Sequence, residues 1–193
     1  MSQHPTPAAT VVLVREGMQR PEVLLLKRNE NLVFNGGCWV FPGGRIDPED
    51  YLEAGSSMEY PAACRAAVRE TREEAGILIR EDHLIHTAHW TTPENLPRRF
   101  STWFFVCPLS GPVDVQVDRG EILAHRWITP AAALAEQASG ALEIPHPTRV
   151  TLADLRDFST LPELLAAMRS SQVRVFPPRS PFYRPFEMGF SRS

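Results

Sequence analysis

Residues 69–77 read Arg69-Glu70-Thr71-Arg72-Glu73-Glu74-Ala75-Gly76-Ile77, and residues 41–44 upstream read Phe41-Pro42-Gly43-Gly44. On a helix turning about 100° per residue, Glu70, Glu73 and Glu74 fall at roughly 0°, 300° and 40°, an arc of about 100°. Like charges that close repel unless a cation sits among them. Carboxylate oxygens are hard ligands suited to Mg²⁺ or Mn²⁺, ions that favour substrates able to bring phosphate oxygens. Alone, an Arg-Glu-x-x-Glu-Glu run is usually a solvated face laced with i,i+4 ion pairs. With Phe-Pro-Gly-Gly before it and Gly76-Ile77 after it, the run reads as a metal-phosphate site.

The flanking pattern predicts the frame that carries this helix. Apolar β-rich runs at 10–14 and 22–27, separated by Gly17 and Pro21, predict a hairpin. Residues 39–41 predict a short strand that stops at Pro42-Gly43-Gly44. A polar loop over 45–59 then leads to Pro61, which suits the first turn of a helix running to Ala75 and capped by Gly76. Cys64, Val68, Thr71 and Ala75 share the face expected to pack on a sheet, leaving the carboxylate face free. Strands follow at 83–90, 100–107 and 122–128, then helices at 130–138, 148–157 and 161–170, with Thr148 and Thr160 as cap candidates. His83, His86 and His89 read as a half-exposed strand face rather than a metal site. The fold class expected is α/β, with a mixed central sheet.

A chain of 193 residues with 43% hydrophobic content suits one compact domain, expected over 1–172, and a tail over 173–193. Pro177, Pro178, Pro181 and Pro185 keep that tail from being helical, while Phe176, Phe182, Tyr183, Phe186 and Phe190 favour its docking on the domain or on a partner subunit. A net charge of −3 gives no field for nucleic acid or an anionic membrane, so neither is expected as a partner. Three widely spaced cysteines support neither a disulfide framework nor a zinc cluster. No signal peptide or membrane span is read, and a reducing cytoplasm is the expected location.

The order strand, Phe-Pro-Gly-Gly, loop, then Arg-Glu-x-x-Glu-Glu-x-Gly-apolar resembles the Nudix hydrolase superfamily, whose box is G-x5-E-x7-R-E-U-x-E-E-x-G-U. Its fold is an α/β/α sandwich, and here the box spans 44–77. The resemblance implies that Glu70, Glu73 and Glu74 bind Mg²⁺ or Mn²⁺ with the Gly44 carbonyl, that Arg69 orients the glutamates, and that Glu73 and Glu70 serve catalysis. Two departures stand out. The family's first glutamate falls at Pro61, and Gly44 lies 17 positions before it rather than six, an insertion of roughly eleven residues at about 47–58. Glu53 and Glu59 are the two acids open to replace the missing one.

The insertion, with Trp90-Thr91-Thr92-Pro93, Pro97-Arg98-Arg99-Phe100, Phe104-Phe105-Val106 and Pro147-Thr148, is similar to the subgroup that includes the peroxisomal coenzyme A diphosphatase. That resemblance implies cleavage of coenzyme A or acyl-coenzyme A at its pyrophosphate, and a homodimer. ADP-ribose, NADH or dinucleoside polyphosphates remain alternative substrates, since the box reports the pyrophosphate and not its substituents. A nucleotide-sensing module without turnover is the other alternative. Glu121, before the strand of Trp127, is the candidate acid outside the box, with Asp118 in reserve. Arg28, Arg45 and Arg99 are the candidate phosphate ligands. Ala63 and Ala66, on nearly the same face as Glu70, are expected to leave space for a phosphate group.

Overall fold

The computed structural model describes residues 4–53 and 55–191. Residues 1–3, where the leader reading begins, and 192–193, at the end of the tail, lie outside them. Among the described residues the strands are β1 (Thr6–Arg15), β2 (Glu22–Arg28), β3 (Trp39–Val40), β4 (Gly43–Arg45), β5 (Ile85–Thr91), β6 (Phe100–Pro108), β7 (Ile122–Ile128) and β8 (Arg174–Phe176). The helices are α1 (Glu59–Ala75), α2 (Pro130–Ala138), α3 (His146–Leu155) and α4 (Leu161–Ser170).

β1 is the spine because its continuous apolar run is buried on both faces. It lies parallel to β6 along its whole length and antiparallel to β2 at its end and to β4 near its start. β2 also pairs with β7 and β3. Val11 and Leu13 on one face meet Leu24, Leu26, Trp103 and Phe105 beneath α1. Val12 and Val14 on the other meet Leu25, Phe104, Leu152 and Leu164 beneath α2, α3 and α4. Each fully buried aliphatic side chain contributes about 2 kcal/mol over exposure. The result is an α/β/α sandwich around a mixed sheet.

Several boundaries move for physical reasons. Gly43-Gly44-Arg45 continue as β4, paired antiparallel with Ala8-Ala9-Thr10 of β1, while the Gly43 amide and the Arg45 carbonyl turn to side chains of α1. α1 starts at Glu59, two residues before Pro61. Gly76 ends it in the left-handed region at φ 69°, with its N–H donating to the Arg72 carbonyl. α3 starts at His146, so Thr148 lies inside it, whereas the Thr160 hydroxyl caps α4 by accepting from the Glu163 amide.

The histidine face is not half-exposed. His83 lies in a 3-10 turn, and a register shift between His86 and Ala88 turns both His86 and His89 into the core. They pack with Trp103 against the tail, where Tyr183 stacks on His89 at 4.6 Å and Phe190 meets His86 at 4.8 Å. β8 extends the sheet beside β5, and Phe176 stacks on Trp90 at 3.8 Å. Aromatic pairs add about 1 kcal/mol each beyond their buried area. Removing residues 173–193 is expected to lower the melting temperature by about 10 °C or more in a thermal scan; an unchanged transition would mean that the tail is an ornament.

Candidate functional site

β4 and α1 meet at the carboxylate cluster. Gly44 stands opposite Ala9 on β1 and faces α1, and the carboxylate of Glu70 lies over it. A Cβ built at Gly44 would come within 2.4 Å of Glu70 Oε1 and 2.7 Å of Oε2. The Glu74 carboxylate is inserted between helix and sheet, only 6% exposed, and accepts from the Gly43 amide at 2.9 Å. Glu73 projects outward with its side chain 57% exposed. The face is therefore graded from buried Glu74 to open Glu73, rather than free throughout. Ala63 and Ala66 are fully buried in the core under α1 and offer no room for phosphate.

Arg69 organises the cluster's outer edge. Its Nη1 donates to Glu70 Oε1 at 2.8 Å and to Glu73 Oε2 at 3.2 Å, and its Nη2 donates to the Arg45 carbonyl at 3.0 Å. The remaining edge grips Asp50, with Nη2 to Oδ2 at 2.8 Å and Nε to Oδ1 at 3.2 Å. Asp50 is a residue the sequence reading does not single out; acids are common in an inserted loop, and spacing cannot show which one folds back. Glu59 is turned to the core, where it accepts from Trp103 Nε1 at 2.7 Å, and Glu53 is exposed. Neither meets Arg69. An open cleft of about 620 Å³ on the outer side of α1 exposes Arg69, Arg72 and Glu73 to solvent.

On the inner side, Arg28 at the end of β2 lies 3.7 Å from Glu74 and 3.6 Å from Glu121, whose side chain is 62% exposed. Its buried Nε has no hydrogen-bond partner among the described residues. Asp118 closes the turn before β7, accepting from the amides of Gly120, Glu121 and Ile122, so its carboxylate is already engaged. Arg45 is exposed beside the cluster. Arg99 is drawn away from it. Its buried side chain donates from Nε to the Thr92 carbonyl at 3.2 Å and covers the Phe182 ring.

Burial dominates the titration of Glu70 and Glu74. Desolvation raises the pKa of Glu70; Arg69 opposes that rise, while Glu73 and Asp47 add to it. Glu74 is pushed up to about 8 by burial, against the Gly43 amide and Arg28, with Glu70 and Glu121 adding to the rise. Among the described residues no three His, Cys, Asp or Glu side chains converge at metal-ligand spacing. The donor chemistry nevertheless fits a hard divalent cation. The carboxylates are underneutralised, and the cradle that holds Glu70 exists only because Gly44 lacks a Cβ.

A carboxyl raised on folding stabilises the protein below its ordinary pKa near 4.5 and loses that contribution as pH climbs to about 8. The metal-free protein is therefore expected to melt at falling temperatures from pH 5 to pH 8. Mn²⁺ is expected to raise the melting temperature more at pH 8 than at pH 6, because ligation requires the ionised form. Thermal scans of the protein and of Glu74→Gln check this, the variant losing most of the slope.

A family model for the NUDIX domain matches residues 4–144. Putative nudix hydrolase 7 of Caenorhabditis elegans is 27% identical over 175 residues, covering 72% of this chain and 57% of that protein. Acyl-coenzyme A diphosphatase NUDT19 of Xenopus laevis is 26% identical over 234 residues, with 74% of this chain and 62% of that protein covered. The chain spans about three fifths of the length of these curated relatives. In fold it is similar to the crystal structure of a NUDIX hydrolase from Alicyclobacillus acidocaldarius, at a TM-score of 0.76 and 24% identity over 88% of this chain and 98% of that one. The domain match takes in the whole run from Gly44 to Ile77, including Glu70 and Glu74 packed against β4, and the chain belongs to the Nudix family.

Proposed function

We propose that this chain is a metal-dependent pyrophosphohydrolase acting on a nucleoside diphosphate linked to a second group, coenzyme A or acyl-coenzyme A first. The observation that carries the reading is the pair of desolvated carboxylates, Glu70 and Glu74, packed against Gly43 and Gly44, which among the described residues share only Arg28 and Arg69 as neutralising cations. A Nudix hydrolase and an acyl-coenzyme A diphosphatase among the relatives support it. The three buried free thiols suit a reducing compartment such as the cytoplasm. No helix among the described residues is long and apolar enough to cross a membrane.

Glu70, Glu73, Glu74 and the Gly44 carbonyl would hold Mg²⁺ or Mn²⁺. When bound, the ion neutralises phosphoryl oxygens and lowers the pKa of a coordinated water. Arg69 keeps Glu70 and Glu73 oriented from one side. Arg28, with an unused donor at Nε, and exposed Arg45 supply hydrogen bonds to non-bridging phosphate oxygens. Glu121 would take the proton of the attacking water, a role supported by its lying beside Arg28 and open to solvent. Attack at phosphorus breaks one P–O bond of the anhydride and leaves two phosphate monoesters.

A panel of coenzyme A, ADP-ribose, NADH and diadenosine polyphosphates with Mg²⁺ tests the assignment. Fastest turnover of coenzyme A or its acyl esters is the expected result. Preference for ADP-ribose, NADH or dinucleoside polyphosphates would keep the chemistry and replace the substrate. Binding without product from any of them would make the domain a nucleotide sensor.

A further inference from the structure

The acid missing at Pro61 has a replacement in space. The inserted segment folds into a 3-10 turn at Pro48–Asp50, and Asp50, 5% exposed, presents both carboxylate oxygens to Arg69. A guanidinium has five N–H donors in one plane. Here one edge is saturated by Asp50 and the Nη1 corner faces Glu70 and Glu73. Two-point contact of this kind fixes the plane of the guanidinium as well as its distance.

We infer that Asp50 is a positioning residue of the catalytic cluster, so that the insertion supplies a working part of the box it interrupts. The inference rests on the functional reading of Glu70 and Glu73. Asp50 neutralises Arg69 from the side away from the glutamates. Without that charge only Asp47, longer at 3.6 Å and 43% exposed, opposes Arg69 on that edge, and the freed donors turn to Glu70 and Glu73, where they compete with a divalent cation for the same oxygens. The loop has other anchors. Arg65 Nε donates to the Asp50 carbonyl, the Ile46 amide donates to the Pro7 carbonyl, and Tyr51 packs on the core. A change confined to the Asp50 carboxylate thus leaves the segment attached, though the Asp47 amide loses part of its acceptor at Oδ2.

The test is a double-mutant cycle of Asp50→Asn and Arg69→Gln, read by calorimetric Mn²⁺ binding without substrate and by melting temperature. Asp50→Asn is expected to weaken Mn²⁺ binding about tenfold or more, the range for residues that orient metal ligands. In the Arg69→Gln background the same change is expected to have almost no effect, because its route runs through Arg69. Asp50→Glu, which keeps the charge, is expected to bind Mn²⁺ within a few-fold of the wild type, and Asp50→Ser, which also removes the charge, takes the place of Asp50→Asn in the cycle if that variant does not fold. Wild-type Mn²⁺ binding in Asp50→Asn alongside a lowered melting temperature would make Asp50 a loop anchor and overturn the inference. Equal losses in both backgrounds would overturn it too. A wild-type protein that binds Mn²⁺ but cleaves no pyrophosphate would overturn the functional reading alone, since the binding cycle does not depend on turnover.

Discussion

Gly44→Ala is expected to reduce kcat by about a hundredfold or more. The added Cβ would stand 2.4 Å from Glu70 Oε1 and 2.5 Å from Cδ, distances that no packed methyl group tolerates. Glu70 is the only group that can give way, because β4 is fixed by its pairing to β1 and α1 by the core beneath it. Expelling the carboxylate breaks its contact with Arg69 and removes one proposed ligand from the cluster. Backbone pairing of β4 survives the change, so circular dichroism should match the wild type. Steady-state kinetics over a range of Mn²⁺ concentrations measure the loss, and an alanine variant with wild-type kcat would show that Glu70 has no part in turnover.

Glu73→Gln is the complementary case, since it alters charge without altering shape. Among the described residues its one ion pair is the exposed i,i+4 contact with Arg69 at 3.2 Å, a type of interaction worth under about 1 kcal/mol. The melting temperature should stay within about 3 °C of the wild type. Turnover, by contrast, is expected to fall by two to three orders of magnitude, because a neutral amide neither neutralises a cation nor accepts a proton from water. A matched fall in stability and a small change in rate would reverse the assignment and return the run to a solvated helix face.

The two variants also mark where the sequence could be read and where it could not. The helix, its Gly76 cap and the arc of three glutamates follow from helical period and one left-handed residue, both local properties. The burial order across that arc does not. Glu74 is sealed by Gly43 of β4, a strand of three residues that pairs with β1, so no local pattern announces it. Ala63 and Ala66 lie close in angle to Glu70 yet point into the core, because earlier turns of α1 sit deeper over the sheet. Asp50 escaped spacing arguments for a similar reason. Its partner is 19 residues away and is reached only by the path of an irregular insertion.

Arg99 is a charged residue beside other motifs whose contacts with the Thr92 carbonyl and the ring of Phe182 are equally invisible to spacing. The sites of Arg28 and Glu121 were legible in part. Both stand at strand ends, but the extra residue that lets Ile122 rather than Leu123 face Arg28 appears only in the pairing of β2 with β7. The tail followed the pattern of its aromatics, although their hosts, His86 and His89, depend on a bulge.

The most direct test of the central claim is hydrolysis of coenzyme A by the purified protein with Mn²⁺ in ¹⁸O-labelled water, followed by mass analysis of the products. Two phosphate monoesters are expected, one of them carrying a single ¹⁸O, at a rate that collapses in Glu73→Gln. Cleavage that proceeds unchanged in Glu73→Gln, or no cleavage of any diphosphate at Mn²⁺ concentrations that saturate binding, would contradict it.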